Sequence, residues 1–458
     1  MSLSLIFLVI IFFILTFDSR IKIKYIIKLL IFWLFFYRVI IGTFKIVGIP
    51  EFFYDDLIML KDIILFSIFI KTFNYKYIKG KHISIYFTLI LLLAIAFVGV
   101  NNVPINVKFN GLRNYLYIFL AFMGGYAANL TKKQFDDILK FYVLLVVIMA
   151  IWSMTVAYTI GYDHFFKIFP YPQNYALATK ESQQAAASII ENKLLNSVGF
   201  LKYRLRDFNG FILHFGNYVV LGVCFSFYLA QEKLLKKRVF YFLFLVLLLS
   251  ISRAATLVGI VLFLYFNSKN LKKYVFIIGV LFTVIVYFGS DIIIGAYTRK
   301  FEKITAGSWN QSAERGEGHS YGLYQFGKTL IDNPLGYGYG YTGTARKKYN
   351  LSTEGGVSMM THGAFLTNLG IVGLAFLLVI FFRLFRLGQK IKGRNSLWII
   401  LTGLPLIYNL IGLTKPAMLS FNMAFIIFTT MGISYKLILN AADVFISANG
   451  LHKKFISL

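Results

Sequence analysis

Residues 359–382 read MMTHGAFLTNLGIVGLAFLLVIFF, and from Gly363 to Phe382 the run carries no charged side chain. A hydrocarbon core about 30 Å thick is crossed by roughly 20 apolar residues at helical rise, so this stretch reads as a membrane span over 363–383. A long polar segment precedes it and the arginines of RLFRLGQKIKGR follow it. That alternation recurs along the whole chain. The 458 residues are 58% hydrophobic and 14% charged, too few polar side chains to clothe a soluble protein of this size. The net charge of +28 would suggest nucleic acid if it formed a basic face, but the lysines come in short clumps between apolar runs. Seven prolines and no repetitive tract exclude disordered and collagenous classes. The single cysteine, Cys224, excludes an intrachain disulfide and a thiolate metal cluster.

Candidate spans lie near 3–17, 25–47, 57–73, 82–100, 111–130, 138–160, 208–230, 238–252, 254–268, 272–290, 363–383, 395–413 and 417–436. The expected fold is an all-α polytopic integral membrane protein with roughly 12–14 transmembrane helices and two larger extracytoplasmic loops. The first span lacks a basic n-region and a cleavage site and is expected to be a retained helix. The order is N-terminal helices (1–160), a first large loop (161–207), central helices (208–290), a second large loop (291–362), and C-terminal helices with a tail (363–458).

Loops rich in Lys and Arg stay in the cytoplasm. One alternate set, DSRIKIK, KTFNYKYIKGKH, LTKKQFDD, QEKLLKKR, NSKNLKK and RLFRLGQKIKGR, is basic. The other set is poor in positive charge and includes both large loops, which are therefore expected outside, with the N-terminus. Spans 238–252 and 254–268, separated by little more than Ser252–Arg253, form a tight hairpin whose tip, Arg253, faces water, headgroup phosphate or a protein anion.

The first large loop ends in LKYRLRDFNGFILHFGNYVVLG, with Arg204 and Arg206 just outside the next span. They can converge on one anion from an extended segment. The middle of that loop, ALATKESQQAAASIIENKL, has helical propensity and is expected along the membrane surface. In the second loop, 321–331 reads as an amphipathic helix with a Pro-Gly stop. Gly338, Gly340 and Gly343 satisfy G-x-G-x-x-G, but no strand precedes them and no helix follows as a dinucleotide site requires. A tyrosine-rich loop over a glycan or lipid headgroup suits that composition better.

Of six histidines, His362 alone is expected at a helix N-terminus on the outer side, where the positive end of the helix dipole favours a neutral ring able to accept a proton. The plainer alternative is an interfacial residue satisfied by headgroups. Arg204, Arg206, Arg253, Arg315 and His362 all map to the outer rim. Guanidiniums can hold phosphate oxygens bidentately and offset the charge of a leaving diphosphate, and a histidine can take a proton from an attacking hydroxyl. No HExxH, D-x-D or Cys/His cluster suggests a metal. Asp55 and Asp56, in the first charged outer loop, read either as a base and metal ligand or as an acidic outer flank. Asp207 reads as an orienting partner of Arg206.

In this order the motifs RLRDFNGFILHFGN, LLLSISRAATLVGIVLF, an outer arginine before LIDNPLGYGYG, and THGAFLTNLGIVGLAFLL resemble the O-antigen ligase and polymerase superfamily, and GLRNYLYIFLAFMGG with Arg113 is similar to its earlier arginine-bearing helix. The resemblance covers roughly 110–385. The chain departs at His362-Gly363, where the family often has His-Asn, and at Gly216-Asn217, where it often has Pro-Asn. The resemblance implies a GT-C-like, metal-independent inverting glycosyltransferase of the bacterial inner membrane, without cofactor, acting on undecaprenyl-diphosphate-linked oligosaccharide on the periplasmic face. His362 would be the general base, Arg206, Arg204 and Arg315 the diphosphate clamp, and Arg253 and Arg113 its supports. A repeat-unit polymerase for O-antigen or capsule is the favoured member, with a polysaccharide co-polymerase as a partner. A ligase transferring the glycan to lipid A core and a lipid-linked oligosaccharide flippase are the alternatives.

Overall fold

The computed structural model describes residues 3–48, 50, 52–72, 104–178, 205–210, 212–250, 252–268, 327, 329–339, 361–413 and 420–448. Arg204, Arg315, Gly340, Gly343, the expected spans 82–100 and 272–290, and the expected surface helix in the first loop lie outside them. So do the side chains of Asp55, Asp56 and Arg253.

The described residues are helical, with no strand among them. The helices are α1 (Leu3–Phe17), α2 (Ile23–Ile46), α3 (Phe52–Thr72), α4 (Ile105–Ala127), α5 (Lys132–Thr155), α6 (Tyr162–Ile168), α7 (Tyr171–Ala178), α8 (Ile212–Gln231), α9 (Lys237–Leu249), α10 (Arg253–Phe266), α11 (Thr361–Ile391), α12 (Trp398–Gly412) and α13 (Phe421–Ala448). Four stretches, Ile23–Ile46, Lys132–Ile160, Thr361–Ile391 and Phe421–Ala441, are long and apolar enough to cross a membrane. The chain is an all-α membrane protein. Its surface agrees: Leu144, Ile148 and Ile151 form an exposed stripe at helical spacing on α5, a face that is favourable against lipid and costly in water.

Helix starts follow local chemistry. Thr131 caps α5 by accepting from Gln134 N while Gln134 Oε1 accepts from Thr131 N, a complete capping box. The cap starts α5 within the segment expected as the LTKKQFDD loop. Helix α3 likewise begins at Phe52, so Asp55 and Asp56 fall within its first two turns rather than in a loop. Helices α9 and α10 form the expected hairpin, but with 13 and 14 residues each extends only about 20 Å, short of a full core.

Cross-helix contacts give each helix a direction. Lys132 at the start of α5 meets Glu232 after α8, which also accepts from Ser396 ahead of α12. At the other end of the same helices, Ser153 meets Arg206, and Asn422 donates to Tyr218. Helices α4 and α13 run parallel, with Tyr117 on Phe421 and Gly125 on Thr429. A Cβ on Gly125 would lie 2.3 Å from Thr429 O and one on Gly432 2.2 Å from Phe122 O, so the two backbones touch. One end of the bundle thus gathers the ends of α2, α5 and α12 with the starts of α4, α8, α10, α11 and α13. The other carries the lysine clumps and is called the basic end below.

Candidate active site at one end of the bundle

Two clusters lie at the end opposite the lysines. The first is built on residues 205–210, a buried, non-helical segment that overlaps the start of the expected span 208–230. Asn209–Gly210 makes a turn, Gly210 at φ 84°, and delays α8 to Ile212. His214, expected within a span, therefore stands on the first turn of α8, so His362 is not alone at a helix start on this side. His214 Nδ1 lies 3.7 Å from the buried carboxylate of Asp207.

Arg206 is 1% exposed. Its backbone N donates to Ser153 Oγ at 2.9 Å and to the Tyr162 hydroxyl at 3.0 Å, and those two oxygens are 2.6 Å apart. Its guanidinium stacks over the rings of Tyr162, at 4.9 Å, and Phe166, at 5.7 Å. Tyr162 reaches this point because α5 ends in a π-turn, Val156–Ile160, closed by Gly161 at φ 81°. Such turns are concentrated at functional sites. Burial pushes the Tyr162 and Tyr171 hydroxyls up from the ordinary phenol range, with the Asp207 charge adding to the effect at Tyr171, so both act as neutral partners. The Tyr171 hydroxyl donates to Phe208 O at 2.6 Å.

Arg38 was not anticipated from the sequence. Half-buried on α2, its backbone N donates to Asn209 Oδ1 at 3.3 Å, and its guanidinium lies 4.5 Å above the Tyr175 ring. Arg206 and Arg38 thus each lie over aromatic rings, cation–π contacts that favour one placement of the guanidinium.

The second cluster surrounds His362, the second residue of α11 and 4% exposed. Its Nε2 lies 2.9 Å from Asn409 Oδ1, its ring is edge-on to Tyr408 at 6.5 Å, and its Cε1 edge rests against Gly412. Helix α11 is broken at Gly370, with φ 70° and ψ −174°. The loop Asn333–Tyr339 docks into that break: Tyr337 N donates to Thr367 O at 2.7 Å, and Ile371 N donates to Pro334 O at 2.8 Å. A Cβ on Gly336 would sit 2.5 Å from Gly370 N and one on Gly370 2.3 Å from Leu335 C, so only glycine serves at both positions. Irregular backbone at membrane depth survives where protein buries it and satisfies its polar groups, as here. Tyr339 continues from that loop to lie buried against Tyr115, whose hydroxyl donates to Ala364 O at 3.0 Å and accepts from Asn368 Nδ2 at 2.8 Å. The described part of the tyrosine-rich loop, as far as Tyr339, is therefore packed against the first turns of the histidine helix.

Arg113 is exposed on α4 with its guanidinium 5.9 Å from the Tyr117 ring, in the electrostatic company of Lys61 and Asp62. That places it toward α3 rather than beside Arg206. Asn217, on α8, is wholly buried, with neither amide atom hydrogen-bonded among the described residues. Among the described residues no group of three His, Cys, Asp or Glu side chains is arranged to hold a metal ion.

What these features define is a membrane protein with buried cationic and imidazole groups at one end. Compared with known proteins, the chain matches no family model, no curated protein and no solved structure.

Proposed function

We propose that this chain is a membrane glycosyltransferase that polymerises undecaprenyl-diphosphate-linked oligosaccharide repeat units into O-antigen or capsular polysaccharide, on the periplasmic face of the inner membrane. The observation that carries the reading is Arg206. A guanidinium buried on two aromatic rings, with its backbone tied by Ser153 and Tyr162, is preorganised for an anion and has little use in a lipid-facing bundle otherwise. His362, at the same end of the bundle, supplies a proton acceptor.

In this mechanism the donor's diphosphate sits against Arg206, with Arg204 and Arg315 completing the clamp and Arg253 supporting it, while Arg113, which lies toward α3, stands apart from the clamp. His362 removes the proton from a sugar hydroxyl on the incoming lipid-linked unit. That oxygen attacks the anomeric carbon opposite the diphosphate, which leaves with the bonding pair as the arginines take up its growing charge. The configuration inverts, and no metal is required. A chain-length regulator is a natural partner.

Gel analysis of surface glycan from cells lacking the chain tests the reading. Loss of a polymerase leaves lipid A core capped by a single repeat, whereas uncapped core would point to ligation, and an unchanged ladder would remove the proposal.

A further inference from the structure

We infer that Asn409 is a positioning residue for His362, fixing the neutral imidazole as the Nε2–H tautomer and leaving Nδ1 as the nitrogen that accepts the proton. The catalytic part of this inference rests on His362 being the base proposed above. The tautomer itself rests on hydrogen bonding alone.

An asparagine side chain has one accepting oxygen and one donating nitrogen. Asn409 Nδ2 donates to Pro405 O, one turn earlier on α12, at 2.8 Å. Turning the amide over would set its oxygen against that carbonyl, two acceptors face to face. The amide is therefore held one way round, and Oδ1 is the atom presented to His362 Nε2 at 2.9 Å. An acceptor so placed requires a hydrogen on Nε2, and a neutral ring has only one N–H to give. Nδ1 then carries the lone pair.

The surroundings of Nδ1 agree. It is buried and has no hydrogen-bond partner among the described residues. A Cβ on residue 412 would sit 3.0 Å from Nδ1 and 2.8 Å from Cε1, so Gly412 allows the ring edge bearing Nδ1 to lie where it does. Asn409 and Gly412 are neighbours on one face of α12, one holding the far side of the ring and the other making room for the near side. The sequence hides this pairing, because both residues lie within the apolar stretch 398–413 and read as lipid-span residues.

The experiment uses the full chain in lipid nanodiscs with ¹⁵N-labelled histidine, His362 being assigned by difference from His362→Gln, at mildly alkaline pH. The expected spectrum shows Nε2 protonated and Nδ1 far downfield, unprotonated. Asn409→Leu should relax the ring to a mixture of tautomers and lower kcat on the order of 10²-fold while leaving the donor KM within about twofold. Asn409→Asp keeps the accepting oxygen and should recover most of the rate. Protonated Nδ1 in the unaltered protein, or an unchanged spectrum and kcat in Asn409→Leu, would overturn the positioning role even if His362→Ala is inactive. A fully active His362→Ala beside an Nε2–H spectrum would instead overturn the catalytic part together with the proposed function.

Discussion

The two ends of the bundle use charge in opposite ways. At the basic end, ions meet ions near the surface: Lys28 on Asp137 at 2.8 Å, Arg20 on Asp18 at 3.1 Å, and Lys132 on Glu232. At the other end Arg206 and His362 are almost wholly buried and are held by aromatic rings, a hydroxyl pair and an amide. Exposed pairs cost little to form and contribute little, whereas burying a guanidinium is expensive and is retained where it has a task. The chemistry is proposed for the few buried cations at that end.

That contrast sets the order of expected effects. His362→Ala should lower the polymerisation rate by about 10²–10⁴-fold, read as loss of the oligomer ladder, with thermal unfolding little changed. Arg206→Lys keeps the charge but loses the planar fork and its stacking, and should lower kcat/KM for the lipid-linked donor by about 10–100-fold. Arg38→Gln removes a half-buried cation from the same end and should raise the donor KM several-fold, consistent with about 1 kcal/mol. Glu232→Gln should leave activity unchanged and alter stability by about 0–1 kcal/mol. Burial raises the Glu232 carboxyl, but hydrogen bonds from Lys132 and Ser396 outweigh it and hold it below the ordinary glutamate range. Its contribution is then present above the unfolded value and lost as pH falls through the lower folded one. Unfolding midpoints of wild type and Glu232→Gln in detergent should converge as the pH is lowered through that window. A large activity loss in Glu232→Gln would erase the distinction between the two ends.

Much of the fold is legible because hydropathy and length report burial in lipid directly: each expected span within the described residues overlaps a helix, although the helices Thr361–Ile391 and Phe421–Ala448 run 8 and 12 residues past their expected ends. Boundaries slipped where capping chemistry decides them. Thr131 with Gln134 and the turn at Asn209–Gly210 are both visible as sequence signals, yet an averaged hydropathy passes over them. The His362 and Arg206 positions were legible as polar residues bordering apolar runs. Arg38 and Asn409 were not, since each acquires meaning only from a partner distant in the chain, Tyr175 and Asn209 for one and His362 for the other. The break at Gly370 needed the complementary Gly336, and neither glycine announces the other.

The central claim is glycosyl transfer from a lipid diphosphate at the end of the bundle that carries Arg206 and His362. Its most direct test combines the purified chain with lipid-linked repeat units extracted from cells that lack it. The account predicts a ladder of lengthening oligosaccharides with release of the lipid diphosphate, absent with His362→Ala. A folded, unaltered chain that yields no ladder, or a ladder equally strong with His362→Ala, would contradict it.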